Sequence, residues 1–282
     1  MGQPMAANLA RAGFEVRSYD LRGHGSCASI REAAQGVEVL ITMLPDGRAV
    51  REALLEALTA LPEGAVVVDM SSSEPASMRA LLPAFKARNI ALLDAPVSGA
   101  IAKAKDGTLA IMIGGDAAVL DRARPVLQAM GSELFHVGPL GAGHAVKALN
   151  NYLGAAGTLA GFEVLRVAQA FGLDPHPMLE AINASTGRNS TTERKIPQQV
   201  LTGAFASGFK LALMAKDVGI AAQLARDLGV ATPYLNKTLQ LWRAAQRALP
   251  ADADHTELYN YLEREARPST GRKPRSARPA DT

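Results

Sequence analysis

A single cysteine, one tryptophan and an aromatic content of only 5% leave this 282-residue chain short of the residues that staple or anchor small folds. Cys27 has no partner for an internal disulfide, which suits a reducing cytoplasm and leaves stability to burial. Apolar runs such as Ala65-Val-Val-Val68 fall far short of the roughly 20 residues a membrane helix needs, so no membrane role is expected. Met1-Gly-Gln-Pro4 has neither a basic n-region nor a continuous apolar core, so no secretory signal is read there. No Cys/His/Asp spacing suggests a metal site. The body also has no excess of one charge. The formal net charge is +3, but residues 267–282 set Arg267, Arg272, Lys273, Arg275 and Arg278 against Asp281, a local +4 that leaves −1 for residues 1–266. The basic character belongs to a Pro-, Ser- and Arg-rich end, expected to be a disordered tail and not a nucleic-acid surface.

What the chain does hold is 48% hydrophobic residues patterned in two different ways. Up to about residue 140, strands alternate with helices. A helix is expected over 4–12, with Pro4 in its first turn and Gly13 as its stop. A short strand is expected over Glu15–Asp20, followed by a Gly23/Gly25 turn and a short helix. Strands follow at 37–43, 65–70, 90–93, 108–113 and 133–137, with helices at 46–60, 75–88 and 117–130 between them. Several of these strands are nearly all apolar, which predicts a mostly parallel sheet covered on both faces. After Gly143 the strand pattern disappears, and a small-residue helix over 144–171 opens a helical remainder. The expected fold is therefore α/β: a doubly wound, Rossmann-like sheet over 1–140, an all-α domain over 141–266, and the tail 267–282.

A doubly wound dinucleotide domain normally opens with a strand, a G-x-G-x-x-G turn and a helix whose N-terminus faces a pyrophosphate. Here Gly2 stands where the last glycine of that turn would be, and Asp20 lies at the distance of the acid that bonds the adenosine ribose. The first strand and first two glycines are lacking. A central strand cannot be lost cheaply, since each unpaired buried backbone group costs about 1–3 kcal/mol. The expectation is a truncated or mis-called start, with about a dozen residues upstream.

Six further segments carry chemistry. Read alone, Met43-Leu-Pro45 is a strand exit, and Ser71–Ser73 within Val68-Asp-Met-Ser-Ser-Ser-Glu-Pro75 is a helix N-cap run. In Asp94-Ala-Pro-Val-Ser-Gly-Ala100, small residues after a strand let backbone N–H groups and the Ser98 hydroxyl approach an anion, although a plain turn reads equally well. In Gly141-Ala-Gly-His-Ala-Val-Lys-Ala-Leu-Asn-Asn151, Lys147 and Asn151 are i and i+4 and share one helix face. Lysine is rarely buried without a task, and desolvation lowers its pKa. Lys216-Asp217 reads alone as a helix-surface pair, and His144 and His136 as packing or surface residues. In the polar loop Ser185-Thr-Gly-Arg-Asn-Ser190, Arg188 is the candidate to meet a substrate carboxylate bidentately.

Together, and in this order, these segments resemble the β-hydroxyacid dehydrogenases, the family of 3-hydroxyisobutyrate dehydrogenase and tartronate semialdehyde reductase. The resemblance runs from Met1 to about Glu265. It implies hydride transfer between a nicotinamide cofactor and a small β-hydroxy acid, in a homo-oligomer. It implies that Gly2, Asp20, Leu44, Pro45, Ser72 and Lys216 serve the cofactor. By the same likeness Ser98, Gly99 and Ala100 hold the substrate, Lys147 transfers the proton and Asn151 holds the substrate hydroxyl. Ala100 and Lys103 depart from the family pattern, where glycine is usual, and Ser72 replaces threonine. Asp20 favours NAD because its charge repels the extra phosphate of NADP; Arg22 leaves NADP open. A non-catalytic dinucleotide-binding relative acting as an interaction module is the alternative reading, supported by the basic tail.

Overall fold

The computed structural model describes residues 1–265; the basic segment 267–282, expected to be a disordered tail, lies outside the described residues. The chain divides into two compact units, one of Met1–Ala155 with Met214–Leu239, the other of Ala156–Leu213 with the chain from Gln240 on.

The first unit is built on a six-stranded mixed sheet. Strands β1 (Val39–Thr42), β2 (Val66–Asp69) and β3 (Ala91–Asp94) run parallel, with Thr42 opposite Asp69 and Asp69 opposite Asp94. β3 meets β5 (Ala110–Gly114) antiparallel at Asp94 and Gly114, β4 (Val97–Ser98) pairs antiparallel with β5, and β6 (Glu133–Gly138) pairs parallel with it. Both faces of β2 are buried, which is why its valines need no polar alternation. Val66 and Val68 join Met5, Leu9, Leu93 and Ile111 in one core, while Val67 and Leu92 join Val50, Leu54 and Phe85 in the other.

The helices start where the sequence provides for them. α1 is Gly2–Arg11 and α2 is Ile30–Ala34; Asp46 caps α3 (Gly47–Ala57) by accepting the Ala49 N–H, Pro75 opens α4 (Pro75–Lys86), and α5 (Ala100–Asp106) and α6 (Ala117–Gln128) follow. The strand expected over Glu15–Asp20 does not form. An alternating segment becomes a strand only against a partner edge, and Ser18 instead exchanges hydrogen bonds with Ser26 and accepts the Cys27 N–H at 2.9 Å. Ser71–Ser73 is not the expected cap run either: the N-cap of α4 is Glu74, which makes no side-chain cap bond.

The 30-residue helix α7 (Ala142–Phe171) begins in the first unit. The second unit also contains α8 (Pro175–Asn183), a π-helical stretch over Thr191–Val200, the later part of α10 (Pro233–Ala248), and α11 (Leu258–Glu265). No helix among the described residues is long and apolar enough to cross a membrane. Two buried basic groups mark this unit. Lys195, on the π-helical stretch, is pushed down to about 8 by burial and donates to Thr158 Oγ1 at 2.7 Å. His255 stacks on Trp242, and burial with Lys195 nearby pushes its imidazole down to about 4.

The sign of the His255 effect follows from linkage. Between pH 6.5 and about 4 the unfolded chain binds a proton that the folded chain refuses, so this contribution to stability is full above 6.5 and lost as the pH falls through that window. The loss is on the order of 3 kcal/mol. Chemical denaturation of the wild type across pH 7 to 4 should show it, and His255→Gln should flatten that part of the curve.

Candidate active site

The carboxyl ends of the three parallel strands place Thr42, Asp69 and Asp94 side by side. Both aspartates are fully buried, and a buried carboxylate persists only where donors surround it. Asp69 Oδ1 accepts from the Thr42 hydroxyl at 2.8 Å and the Ser71 N–H at 3.0 Å, while Oδ2 lies 3.1 Å from His144 Nε2. Burial alone would raise the Asp69 carboxyl, but the hydrogen bonds from His144 and Ser71 outweigh it and hold the group below the usual carboxylate range. Asp94 accepts the Gly141 N–H on Oδ1 at 2.6 Å and the His144 N–H on Oδ2 at 2.7 Å. Two strand-end carboxylates therefore grip the start of α7, where unpaired N–H groups and the helix dipole favour negative charge.

This grip requires backbone against backbone. A Cβ on Gly143 would run into the Met112 carbonyl oxygen and stand 2.8 Å from the Asp94 carbonyl oxygen; one on Gly114 would run into the Asp94 carboxylate. The Gly141-Ala-Gly143 pattern thus serves contact between the helix and the strand ends.

One turn into α7, Lys147 is largely buried. Burial lowers its pKa, Asp217 opposes the shift and Lys216 adds to it. Among the described residues no hydrogen bond or ion pair holds its ammonium. It lines a small hollow with Ser72, Ser73, His144, Ala148, Asp217 and Ile220. The next turn carries Asn151, whose Nδ2 donates to Asp217 Oδ2 at 2.6 Å. Asp217 belongs to α9 (Leu211–Asp227), is itself buried, and lies 3.0 Å from the Lys216 ammonium. Lys216 in turn donates to the Ser72 carbonyl at 2.6 Å. Lys147, Asn151, Lys216 and Ser72 thus form one cluster, joined by Asp217. Leu44 is tied to the same loop, its N–H donating to Ser71 Oγ at 2.9 Å, with Pro45 next in the chain. Gly2 begins α1 beside Met43, to which an added Cβ would make ordinary contact at 3.7 Å.

The other expected residues have local contacts of their own. Ser98 ends β4, opposite Ala110. Gly99 has φ +137°, and a Cβ there would stand 2.6 Å from Lys103 Cβ. Ala100 adopts φ +56°, a left-handed conformation that alanine disfavours. Ser98, Gly99 and Ala100 make no hydrogen bond to the Lys147 cluster among the described residues. Asp20 is exposed and accepts the Arg22 N–H at 2.8 Å. Arg188 lies in the second unit and pairs with Glu193 at 3.0 Å.

Residues 1–138 match the NAD binding domain of 6-phosphogluconate dehydrogenase, and residues 141–262 match the NAD-binding domain of NADP-dependent 3-hydroxyisobutyrate dehydrogenase. The NAD-dependent L-serine dehydrogenase of Pseudomonas aeruginosa is 37% identical over 273 residues, covering 90% of this chain and 92% of the relative. The 3-hydroxyisobutyrate dehydrogenase of the same organism is 35% identical over 277 residues, covering 92% of each. Among solved structures, that of Mycobacterium tuberculosis 3-hydroxyisobutyrate dehydrogenase with L-serine superposes with a TM-score of 0.86 at 33% identity, covering 93% of this chain and 95% of that one. The chain belongs to the β-hydroxyacid dehydrogenase family.

This β-hydroxyacid dehydrogenase is an oxidoreductase that transfers hydride between a nicotinamide cofactor and a small β-hydroxy acid. Its residues fit such a cofactor: α1 starts without a side-chain cap, so its first N–H groups are open to a phosphate, and the Leu44 and Ser72 loops follow the strand ends. Three residues that hold this cluster have no role of their own in the sequence reading: Asp217 reads alone as a surface partner of Lys216, His144 as packing or surface, and Asp69 only as a member of the Val68–Pro75 segment. The signal for Asp69 and Asp94 was an acid at the end of each apolar strand, a position that demands donors.

The local strain at Ala100 is testable. Replacing it by glycine removes about 1 kcal/mol of left-handed strain but adds unfolded-state entropy, so Ala100→Gly should stabilise the protein by roughly 0.5 kcal/mol in urea unfolding. Gly143→Ala should destabilise it by about 1–3 kcal/mol as the helix start is pushed from the strand ends.

Proposed function

We propose that Lys147 is the proton-transfer residue of this dehydrogenase, with Asn151 holding the substrate hydroxyl. The reading is carried by one observation: a largely buried amine, depressed by desolvation and without a fixed partner, stands beside the Asn151–Asp217–Lys216 chain. An unpaired buried ammonium is costly, so the neutral amine is available well below the usual lysine range. It takes the hydroxyl proton during oxidation and returns it during reduction. One N–H of the Asn151 amide is committed to Asp217; the second holds the substrate oxygen. Ser98, with the backbone N–H groups of Gly99 and Ala100, receives the substrate carboxylate.

When bound, the nicotinamide accepts the hydride in oxidation and donates it in reduction. The segment up to residue 140 holds the dinucleotide. Gly2 presents the N-terminus of α1 to the pyrophosphate, Asp20 bonds the adenosine ribose and selects NAD, and Leu44, Pro45 and Ser72 line the nicotinamide. Lys216 holds the Ser72 loop through its carbonyl. L-Serine and 3-hydroxyisobutyrate, on which relatives act, are the first substrates to try. The enzyme works in the cytoplasm, consistent with its lone cysteine, as a homo-oligomer.

Turnover of these two acids, glycerate and threonate with NAD tests the reading, using Lys147→Ala as the comparison. The variant should lose about 10²–10⁴-fold in kcat while NADH fluorescence titration gives an unchanged Kd. In the wild type, oxidation should rise with pH through a limb below the ordinary lysine value. Wild-type turnover retained by Lys147→Ala would remove Lys147 from this role.

A further inference from the structure

The proton chemistry assigned to Lys147 leaves one buried titratable pair beside it unused. His144 and Lys147 are i and i+3 on α7 and line the same hollow. His144 is held at two points: its N–H donates to Asp94 Oδ2, and its Nε2 lies 3.1 Å from Asp69 Oδ2. Both partners of the second contact have fully buried side chains. The remaining ring nitrogen, Nδ1, is buried and has no hydrogen-bond partner, and the Ser73 hydroxyl on the hollow shares that condition.

The tautomer follows from donor and acceptor counting. In the neutral ring, Asp69 Oδ2 faces Nε2 and, as a carboxylate oxygen, can only accept, so Nε2 carries the proton. Nδ1 is then a lone pair, and an unpaired buried N–H in its place would be the more costly arrangement. The charged groups near this position are Asp69 on β2, Asp94 on β3, Lys147 itself, and Lys216 and Asp217 on α9. Only Lys147 among the two lysines lacks a fixed acceptor, since Lys216 is bound to the Ser72 carbonyl and to Asp217.

We infer that His144 is a positioning residue whose Nδ1 lone pair, left without a partner while Asp69 holds Nε2, receives the Lys147 ammonium once the lysine has taken the substrate proton. Atoms balance without a further reactant: the hydroxyl proton moves to the Lys147 amine, and the resulting ammonium donates to Nδ1 without giving the proton up. The pair thereby sets the acidity of Lys147. The inference rests on Lys147 being the proton-transfer residue.

Asp69→Asn provides the test, because the hydrogen-bond set accommodates it. Oδ1 keeps the Thr42 and Ser71 bonds, while Nδ2 replaces Oδ2 and donates to Nε2, forcing the proton onto Nδ1 and turning a donor toward the ammonium. The measurement is the pH dependence of Lys147 acylation by an amine-reactive reagent, read by peptide mass spectrometry, which needs no substrate. The apparent pKa of Lys147 should fall by about one unit, a tenfold change in its proton affinity. His144→Gln, whose amide offers both a donor to Asp69 and an acceptor to the hollow, should keep the wild-type value. An unaltered Lys147 titration in Asp69→Asn overturns the inference. Should that variant not fold, ¹⁵N-histidine NMR of the wild type decides: protonated Nε2 with bare Nδ1 supports it, and a proton on Nδ1 overturns it. Turnover retained by Lys147→Ala would instead remove the catalytic reading, whichever way the titration falls.

Discussion

The site depends on two buried carboxylates at the ends of parallel strands gripping the first turn of one helix. Asp69 and Asp94 sit in register on β2 and β3, fully buried, and the donors that make them tolerable come from the neighbouring strand end, from Ser71 just beyond β2 and from the start of α7. Removing one partner of a buried charge typically costs about 3–5 kcal/mol, so the arrangement is held as a unit. Gly114 and Gly143 let the backbones approach closely enough for the contact. Lys147 lies one turn beyond this anchor. Its position follows from the helix, and its side chain needs no partner of its own to be placed.

The two buried lysines illustrate the difference between a placed cation and a held one. Lys195 is depressed by burial to about 8 and donates to the hydroxyls of Thr158 and Thr191. Its bonds are internal and satisfied by its own unit. Lys147 is depressed by the same cause, yet has no acceptor fixed to it among the described residues. Lys216 is committed to Ser72 and Asp217. Of the three, only Lys147 combines burial with an open hydrogen-bonding capacity, the condition a proton-transfer group requires.

Much of this was legible in the sequence because the periodicities are strong. The apolar runs at 65–68 and 90–93 declare buried strands, and Lys147 with Asn151 at i and i+4 declares a polar stripe on an otherwise apolar helix. The segment over 15–20 misled because alternation reports a half-buried extended chain and says nothing of whether an edge stands beside it. His144 was unreadable for a related reason. A histidine three residues before a lysine is unremarkable until the fold brings Asp69, far away in sequence, to its ring. The antiparallel entry of β5 and the π-helical turn that buries Lys195 depend on tertiary packing and leave no local signature.

Amide hydrogen exchange on Asp94→Asn measures the central grip most directly. Asparagine keeps one acceptor and sets an NH₂ against the second N–H, so one of the two bonds to α7 is lost with little change in volume. If the strand-end carboxylates fix the helix start, exchange over 141–147 should accelerate by about tenfold or more, the equivalent of roughly 1.4 kcal/mol, while β1 and β2 stay protected. Unchanged protection over 141–147 in a folded Asp94→Asn protein would contradict the account.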